Sequence, residues 1–328
     1  MVAFEKLTPT IKGITVTRCY FALLSVLWLA VFPAGVSAAD APAQKKYVVA
    51  FAQDTMANDW RAAQVRDLKN ALAQHADIEF VFTDAKGDTA RQIKDIEDLA
   101  ARGVDVLITS PRDAELMREP IARVYRAGTP VILLSRRVSG NEYTQLITAD
   151  NRAIGRAAGQ YLAKRLKGKG RILVLQGVPT ASSAIERSEG FAAALKAYPA
   201  LKVVAVKPAD YLRGQAIQRT EEALAENLDF DAIYSQSDSM AIGALLALKK
   251  AGRDPKKVLI TGIDYIDEAR AAIRAGELSA TFTFPTAGKE GAAAAVKLLR
   301  GGKLTKKDVT IESVMVTRDN VDKLPPIF

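Results

Sequence analysis

Short apolar runs alternate with helix-type segments along almost the whole chain from Tyr47 onward, and this alternation restricts the fold more than any other feature. The runs are rich in β-branched residues, whereas the segments between them repeat apolar residues at helical spacing. Parallel strands with crossover helices give this order, because a right-handed crossover returns the chain to the same end of a sheet. The sequence therefore predicts an α/β fold with parallel sheets covered on both faces.

The predicted elements follow from the same periodicity. Strands are expected at residues 48–52, 79–83, 104–109, 130–134, 171–175, 202–207, 231–234 and 258–262, and helices at 58–75, 89–102, 114–127, 151–166 and 287–299. Gly103 and Gly128 come just after two of the helical patterns, where glycine commonly ends a helix. Asp150 and Asn151 are expected to form a hinge and a helix cap.

The length of the chain predicts two lobes. Roughly 290 residues follow the first 39 residues of the chain, which are treated below. This is near the size at which one hydrophobic core divides into two. We expect two doubly wound parallel-sheet lobes joined by a multi-strand hinge. The predicted N-terminal lobe comprises residues 40–149 and 285–312, and the C-terminal lobe comprises residues 150–284 and 313–328. Ligands of such open sheets bind beyond the carboxyl ends of the strands, here in the cleft between the lobes.

The first 39 residues have the order of a secretory signal peptide. Three basic residues precede an apolar core at 19–32, which Pro33 ends and which small residues follow. Cleavage is expected after Ala38 or Ala39, with the periplasm as destination. A retained membrane anchor is the alternative, but it normally needs about 18 to 25 continuous apolar residues, more than this core contains.

Cysteine content and charge exclude several kinds of site. Cys19, the one cysteine, lies within the predicted leader, so no disulfide, thiolate metal site or redox site is expected. The net charge of +9 is spread over many helices and does not form a basic block with aromatic residues. Nucleic acid is therefore not an expected partner.

The sequence resembles the periplasmic sugar-binding proteins of ABC transporters, of the ribose and galactofuranose type (type I periplasmic binding proteins). The resemblance covers essentially all of the chain after the leader. It rests on segments at strand ends and hinges, in this order: 49–53 with 58–61, 130–137, 148–151, 175–177 with 186–191, 235–241, 262–264 and 280–285.

The resemblance implies a set of ligand-binding residues: Gln53, Asp59, Trp60, Arg61, Ser135, Arg136, Arg187, Tyr211, Ser237, Asp264 and Phe284. In that family the aromatic residue at the position of Trp60 stacks on the sugar ring. Arg136 follows a strand end, where a guanidinium can donate two parallel hydrogen bonds to adjacent oxygens. Asp264 follows another strand end and can accept hydroxyl hydrogens.

Each of these residues also has a purely structural interpretation. Trp60 could be a core aromatic, Arg61 a surface charge and Arg187 half of a surface salt bridge. Asp264 could cap the following helix, and Tyr211 could be a half-buried loop residue.

Three positions depart from the family pattern: Ser135 in place of the usual aspartate, Ser237 in place of asparagine, and Phe284 at a hinge position that is often polar. Without a carboxylate next to Arg136, the arginines of the cleft would face Asp264 and, at most, Asp59. We therefore hypothesise a ligand that is less hydroxylated than ribose or that carries a negative charge, such as a sugar acid.

Other protein classes fit less well. His75, the one histidine, lies at a helix end without a nucleophile or metal ligand nearby in sequence, so no catalytic residue, cofactor or metal is expected. A transcription regulator would carry a DNA-binding domain of about 50 residues where the leader stands. We expect a monomer that delivers its ligand to a membrane ABC permease. The alternative is a periplasmic sensor that presents the ligand to a histidine kinase or chemoreceptor.

Overall fold

A computed structural model describes residues 46–328. The predicted leader, including Cys19 and the cleavage site at Ala38 or Ala39, lies outside the described residues. Within residues 46–328, no helix has both the length and the apolar character needed to cross a bilayer.

The first lobe is built on a six-stranded sheet. Its strands are β1 (Tyr47–Gln53), β2 (Ile78–Asp84), β3 (Val106–Thr109), β4 (Val131–Leu134), β5 (Gln145–Ala149) and β11 (Asp308–Ile311). They lie in the order β11-β5-β4-β3-β1-β2, and every neighbouring pair is parallel. All carboxyl ends therefore face the same edge of the sheet.

The second lobe contains a four-stranded parallel sheet. Its strands are β6 (Lys169–Gln176), β7 (Ala200–Pro208), β8 (Ala232–Ser235) and β9 (Leu259–Thr261), in the order β7-β6-β8-β9. Two short strands, β10 (Thr281–Phe282) and β12 (Met315–Val316), form a separate antiparallel pair.

Helices cover both faces of each sheet. They are α1 (Asp59–Leu72), α2 (Thr89–Ala101), α3 (Arg118–Arg126), α4 (Asn151–Arg165), α5 (Ser182–Leu195), α6 (Arg213–Ala225), α7 (Asp238–Lys250), α8 (Asp267–Ala275) and α9 (Gly288–Leu299). Alternate side chains of a strand enter different cores: Val49 and Phe51 of β1 pack with α1 and α9, whereas Ala50 and Ala52 pack with α2 and α3. The predicted two-lobed, doubly wound α/β fold is confirmed.

Within residues 46–328, the chain passes between the lobes at three places. It leaves the first sheet after β5, returns between β10 and α9, which packs on α1, and leaves again between β11 and β12. Near the C-terminus, Val321 is buried in the core of the second lobe. The lobe boundaries drawn from the sequence remain predictions at the level of single residues.

Some elements differ from the predicted ones. The cause is either a side chain that competes for backbone N–H groups or a strand that is too short to be recognised. The third helix is expected from residue 114 but begins at Arg118, because the Asp113 carboxylate accepts the backbone N–H groups of Glu115 and Leu116 in a preceding turn. Strands β5, β10, β11 and β12 are additional to the predicted ones. Asp150 caps α4 as expected, since its side chain accepts the N–H of Ala153 at 2.9 Å.

Candidate functional site

A cavity of about 430 Å³, its mouth included, lies between the two lobes at the carboxyl ends of the strands. The first lobe contributes Asp54, Thr55, Asn58, Trp60, Arg61, Ser135 and Arg136, and the second contributes Ser183, Arg187, Asp210, Tyr211, Ser237 and Asp264, with Phe284 from the connection before α9. A molecule held there would contact both lobes at once.

Most of the residues expected from the sequence meet at this cavity. The structure brings together Trp60, Arg61, Ser135, Arg136, Arg187, Tyr211, Ser237, Asp264 and Phe284. Gln53 and Asp59 do not line it. Gln53 is fully buried as the last residue of β1 and donates to Gln64 Oε1 at 3.2 Å, whereas Asp59 faces outward and pairs with Arg213 at 3.3 Å.

Asp54, which is not among the residues expected from the sequence, is a carboxylate that forms ion pairs with three arginines. Its Oδ2 accepts a hydrogen bond from Nη1 of Arg136 at 2.7 Å, and its Oδ1 lies 3.3 Å from Nε of Arg61. Arg112 adds a third guanidinium at 3.9 Å. Burial acts to raise the pKa of Asp54, but these three positive charges outweigh it and hold the pKa below its usual value.

The position of Asp54 corrects the expectation that Arg136 has no carboxylate beside it. That expectation arises because Ser135 stands where an aspartate is usual. Asp54 supplies that carboxylate from the end of β1, although it is distant in sequence. An uncompensated positive charge at Arg136 is therefore no longer a reason to expect an acidic ligand.

Arg61 is held at the base of the cavity by hydroxyl groups. Its Nη1 donates to Ser110 Oγ at 2.6 Å and to Ser135 Oγ at 3.1 Å. Burial, followed by the neighbouring charge of Arg136, lowers the pKa of Arg61 to about 9. It still carries its charge at neutral pH, and its alternative interpretation as a surface residue is excluded because its side chain is only 7% exposed.

Arg187 reaches the cavity from α5 and is also buried. Its Nε donates to Asn151 Oδ1 at 2.9 Å, and its Nη1 donates to the carbonyl oxygen of Gln236 at 2.6 Å. Among the described residues no carboxylate forms a salt bridge with Arg187. This excludes the alternative that Arg187 is half of a surface salt bridge. The position of α5 depends on Gly155 of α4, since a Cβ there would lie 2.1 Å from the carbonyl oxygen of Arg187.

Aromatic side chains form the apolar walls. Trp60 and Phe284 lie with ring centres 5.5 Å apart, and the indole Nε1 donates to the carbonyl oxygen of Phe284 at 2.8 Å. Tyr211 hydrogen bonds to Ser183 Oγ through its hydroxyl at 2.9 Å. The guanidinium carbon of Arg187 lies 4.5 Å from the centre of the Phe284 ring. Such walls suit the C–H faces of a ligand whose edges are polar.

Asp264 is the carboxyl group of the second lobe. It lies between β9 and α8 with φ at 132°, and its backbone N–H donates to the carbonyl oxygen of Phe282. Burial, and then the charge of nearby Asp238, raise the pKa of Asp264 well above its usual value. Asp264 does not cap α8. Asp238 instead accepts the N–H groups of Tyr265 and Ile266, at 2.6 and 3.1 Å.

Ser237 and the residues that sequence reasoning missed complete the cavity. Ser237 caps α7 by accepting the N–H of Met240 at 3.2 Å. Asn58, the cap of α1, donates from Nδ2 to the carbonyl oxygen of Tyr211 at 2.6 Å, across the cleft. Asp54 and Asn58 could have been found, since both follow the carboxyl end of β1. Thr55 and Asp210 likewise follow the ends of β1 and β7, whereas Ser183 lies on α5 and carries no comparable signal.

Metal ligands are not clustered in the part of the chain that the structure describes. No group of three or more histidine, cysteine, aspartate or glutamate side chains there is arranged to hold an ion. His75 is not among the residues that line the cavity.

Comparison with known proteins assigns the chain to a family. A family model described as a periplasmic binding protein domain matches residues 49–303, most of the chain. The chain belongs to this family. The resemblance inferred from the sequence is thereby confirmed.

Individual relatives of this periplasmic binding protein agree in length as well as in sequence. The ribose import binding protein of Haemophilus influenzae is 34% identical over 272 residues, which cover 82% of this chain and 91% of the relative. The solved structure of a galactofuranose-binding protein is 29% identical, with a TM-score of 0.80 over 84% of this chain and 96% of that one.

One structural neighbour has a different biological setting. It is the fructose-binding periplasmic domain of a hybrid two-component system, which is 31% identical with a TM-score of 0.79 and covers 84% of this chain and 92% of its own. Uptake proteins and sensors therefore both occur among the proteins that this periplasmic binding protein resembles.

Proposed function

We propose that this protein captures a sugar or a sugar-like molecule between its two lobes and delivers it to the permease of an ABC transporter. The observation that carries the proposal is the cavity itself, which is lined from both lobes by arginines, carboxylates and aromatic rings. Guanidinium and carboxylate groups suit the hydroxyls of a sugar, and the rings suit its C–H faces. The names of the relatives support the same ligand class.

Binding is coupled to closure in this proposal. Arg136 belongs to the first lobe and Arg187 and Asp264 to the second, so a ligand that contacts all three favours the closed form. Direct contacts between the lobes, such as Asn58 to Tyr211, add to that preference. The closed form then presents both lobes together to the membrane partner. The chain acts without a cofactor and without chemical change of its ligand.

The site residues are proposed individually as ligand contacts. They are Trp60, Arg61, Ser135, Arg136, Arg187, Tyr211, Ser237, Asp264 and Phe284. Gln53 and Asp59 are proposed only as supporting residues, because neither lines the cavity.

The location follows from the family and from the N-terminal segment. We place the protein in the periplasm, exported by a signal peptide that is removed after Ala38 or Ala39. N-terminal sequencing of the protein recovered from the periplasm tests this: a first residue of Ala39 or Asp40 supports it, and an N-terminus at Met1 contradicts it.

Ligand binding is tested by thermal unfolding of the purified chain, freed of bound ligand by denaturation and refolding. A ligand at 100 times its Kd adds about 2.7 kcal/mol to the unfolding free energy, which raises Tm by several degrees. Pentoses, hexoses, polyols, sugar acids and amino acids form the panel. A shift confined to sugars and polyols supports the proposal, whereas a shift with amino acids alone contradicts it.

The sensor role is a second candidate, favoured by the two-component neighbour. Both roles use the same closure, so binding data do not separate them. Deletion of the gene does: loss of uptake of the bound sugar supports transport. Normal uptake with a lost transcriptional or chemotactic response supports sensing.

A further inference from the structure

Asp238, the first residue of α7, is a fully buried carboxylate that does not line the cavity. Its Oδ2 accepts the backbone N–H groups of Tyr265 and Ile266 at 2.6 and 3.1 Å, and its Oδ1 accepts the hydroxyl of Thr281 at 2.6 Å. The first two donors follow Asp264 directly in the chain, and the third begins β10. Both oxygens of Asp238 therefore join the loop that carries Asp264 to the strand that leads out of the second lobe.

The loop held by Asp238 has a backbone that residues with a Cβ rarely adopt. Asp264 and Tyr265 are consecutive, and their φ angles are 132° and 63°. Such conformations are strained, and they persist where the surrounding structure holds them. The bonds to Asp238 hold the two peptide groups that follow Asp264. Since the side chain of Asp264 lines the cavity, these bonds also hold the direction in which its carboxylate points.

Strand β10 holds the same loop from the other side. The N–H of Asp264 donates to the carbonyl oxygen of Phe282 at 2.8 Å, and Phe282 is the neighbour of Thr281, which donates to Asp238. One carboxylate thus restrains both the loop and the strand to which the loop is bonded. The chain leaves room for this carboxylate at Gly262, where a Cβ would lie 2.0 Å from Oδ1 of Asp238.

We propose that Asp238 is a positioning residue for ligand binding, which holds the strained loop so that the carboxylate of Asp264 points into the cavity. It acts through Asp264 and does not touch the ligand. The inference rests on the proposed function, since it takes Asp264 to be a ligand contact. A purely structural role of Asp238 would lower stability, but its effect on affinity would not depend on the side chain at position 264.

The experiment is a double-mutant cycle measured by isothermal titration calorimetry. The titrants are ribose, galactose, arabinose and myo-inositol, together with the compound that gives the largest shift in the thermal panel. The proteins are the wild type, Asp238→Ala, Asp238→Asn, Asp264→Ala, and the double variants that combine each Asp238 change with Asp264→Ala. Leu248→Ala is the control for stability, since it empties a fully buried position further along the same helix. Circular dichroism and Tm establish that each variant is folded.

We expect Asp238→Ala to lower affinity at least tenfold, because it releases the loop. Asp238→Asn removes the charge but keeps one oxygen for the two N–H groups, so it should lower affinity less than threefold. With Asp264→Ala already present, Asp238→Ala should change affinity less than twofold, although it still lowers Tm. Leu248→Ala should lower Tm and leave affinity unchanged.

A second perturbation covers the case in which Asp238→Ala does not fold. Gly262→Ala displaces the carboxylate of Asp238 by contact, and it should lower affinity in the wild type but not in Asp264→Ala. Unchanged affinity in the folded variants, equal losses from Asp238→Ala and Asp238→Asn, or losses that add to that of Asp264→Ala overturn the inference and leave the proposed function intact. Failure of the folded wild type to bind any compound of the thermal panel overturns the proposed function and the inference with it.

Discussion

Arg136 and Arg187 approach the same aromatic ring from opposite lobes. Their guanidinium carbons lie 5.3 and 5.8 Å from the ring centre of Tyr211. Their side chains are otherwise held differently, Arg136 by the Asp54 carboxylate and Arg187 by Asn151 and a backbone carbonyl. Since each belongs to a different lobe, opening of the cleft would separate them, and a ligand bound to both would oppose that separation.

Replacing Arg136 by alanine should weaken ligand binding by about 2 kcal/mol or more, roughly thirtyfold, because it removes a buried charged donor. Lysine should not restore binding, since an ammonium lacks the planar fork of donors. Calorimetry with the ligand identified by the thermal screen measures the effect. Arg123→Ala, at an exposed pair with Glu97, serves as the control. Unchanged affinity of a folded Arg136→Ala variant would place the ligand elsewhere.

The fold was predictable because its signal is repeated along the chain. Alternating strands and helices indicate the two lobes, whereas β5 escapes prediction because its five residues lie between a predicted strand end and a predicted hinge. Most of the candidate site was predictable because the sequence resembles a known family, and the positions that this resemblance implies meet at one cavity. Asp54 follows a strand, but its pairing with Arg136 depends on how two strand ends are aligned, which periodicity does not encode.

An ion pair that joins the two lobes tests how much closure contributes to ligand affinity. Nε of Arg137 in the first lobe lies 2.9 Å from Oε1 of Glu186 on α5, and neither residue is a proposed ligand contact. Glu186→Gln should weaken the closed form and lower ligand affinity about two- to fivefold, a modest effect because Arg137 is 40% exposed. The change should appear as faster dissociation in stopped-flow measurements.

The control for this variant lies one helical turn away. Glu189 pairs with Arg152, and both belong to the second lobe. Glu189→Gln should therefore leave the dissociation rate unchanged. Equal effects of Glu186→Gln and Glu189→Gln would show that the charge on α5 matters and that the contact between lobes does not.

Close packing of α4 on α5 gives a stability prediction. Gly155→Ala would place a Cβ 2.1 Å from the carbonyl oxygen of Arg187, so the helices must separate. We expect a loss of about 1 to 3 kcal/mol in the unfolding free energy and weaker ligand binding, because Arg187 moves with the helix. Gly214→Ala on α6 is the matched control, since no atom lies within 4 Å of the position that its new methyl group would take. It should be neutral or slightly stabilising, and a Gly155→Ala variant that behaves the same way would contradict the packing argument.

The raised pKa values of Asp238 and Asp264 predict how stability depends on pH. Burial raises the pKa of Asp238 to about 6, and burial together with the charge of Asp238 raises that of Asp264 well above its usual value. The positive charges of Arg187 and Arg61 act in the opposite direction on Asp264 but do not cancel the rise. Each carboxyl group therefore binds its proton more tightly in the folded state than in the unfolded state.

The direction of this pH dependence follows from the linkage between proton binding and folding. The stability that these two groups contribute is present below about pH 4, the pKa in the unfolded chain, and is lost as the pH rises through about 6 and beyond. Asp264→Asn removes one of the two buried charges. It should gain stability relative to the wild type as the pH rises from 4.5 to 7.5, by about 1 kcal/mol or more, while it loses ligand affinity. Urea unfolding of both proteins at the two pH values measures the difference. A stability difference that is the same at both pH values would mean that Asp264 is already ionised at pH 4.5.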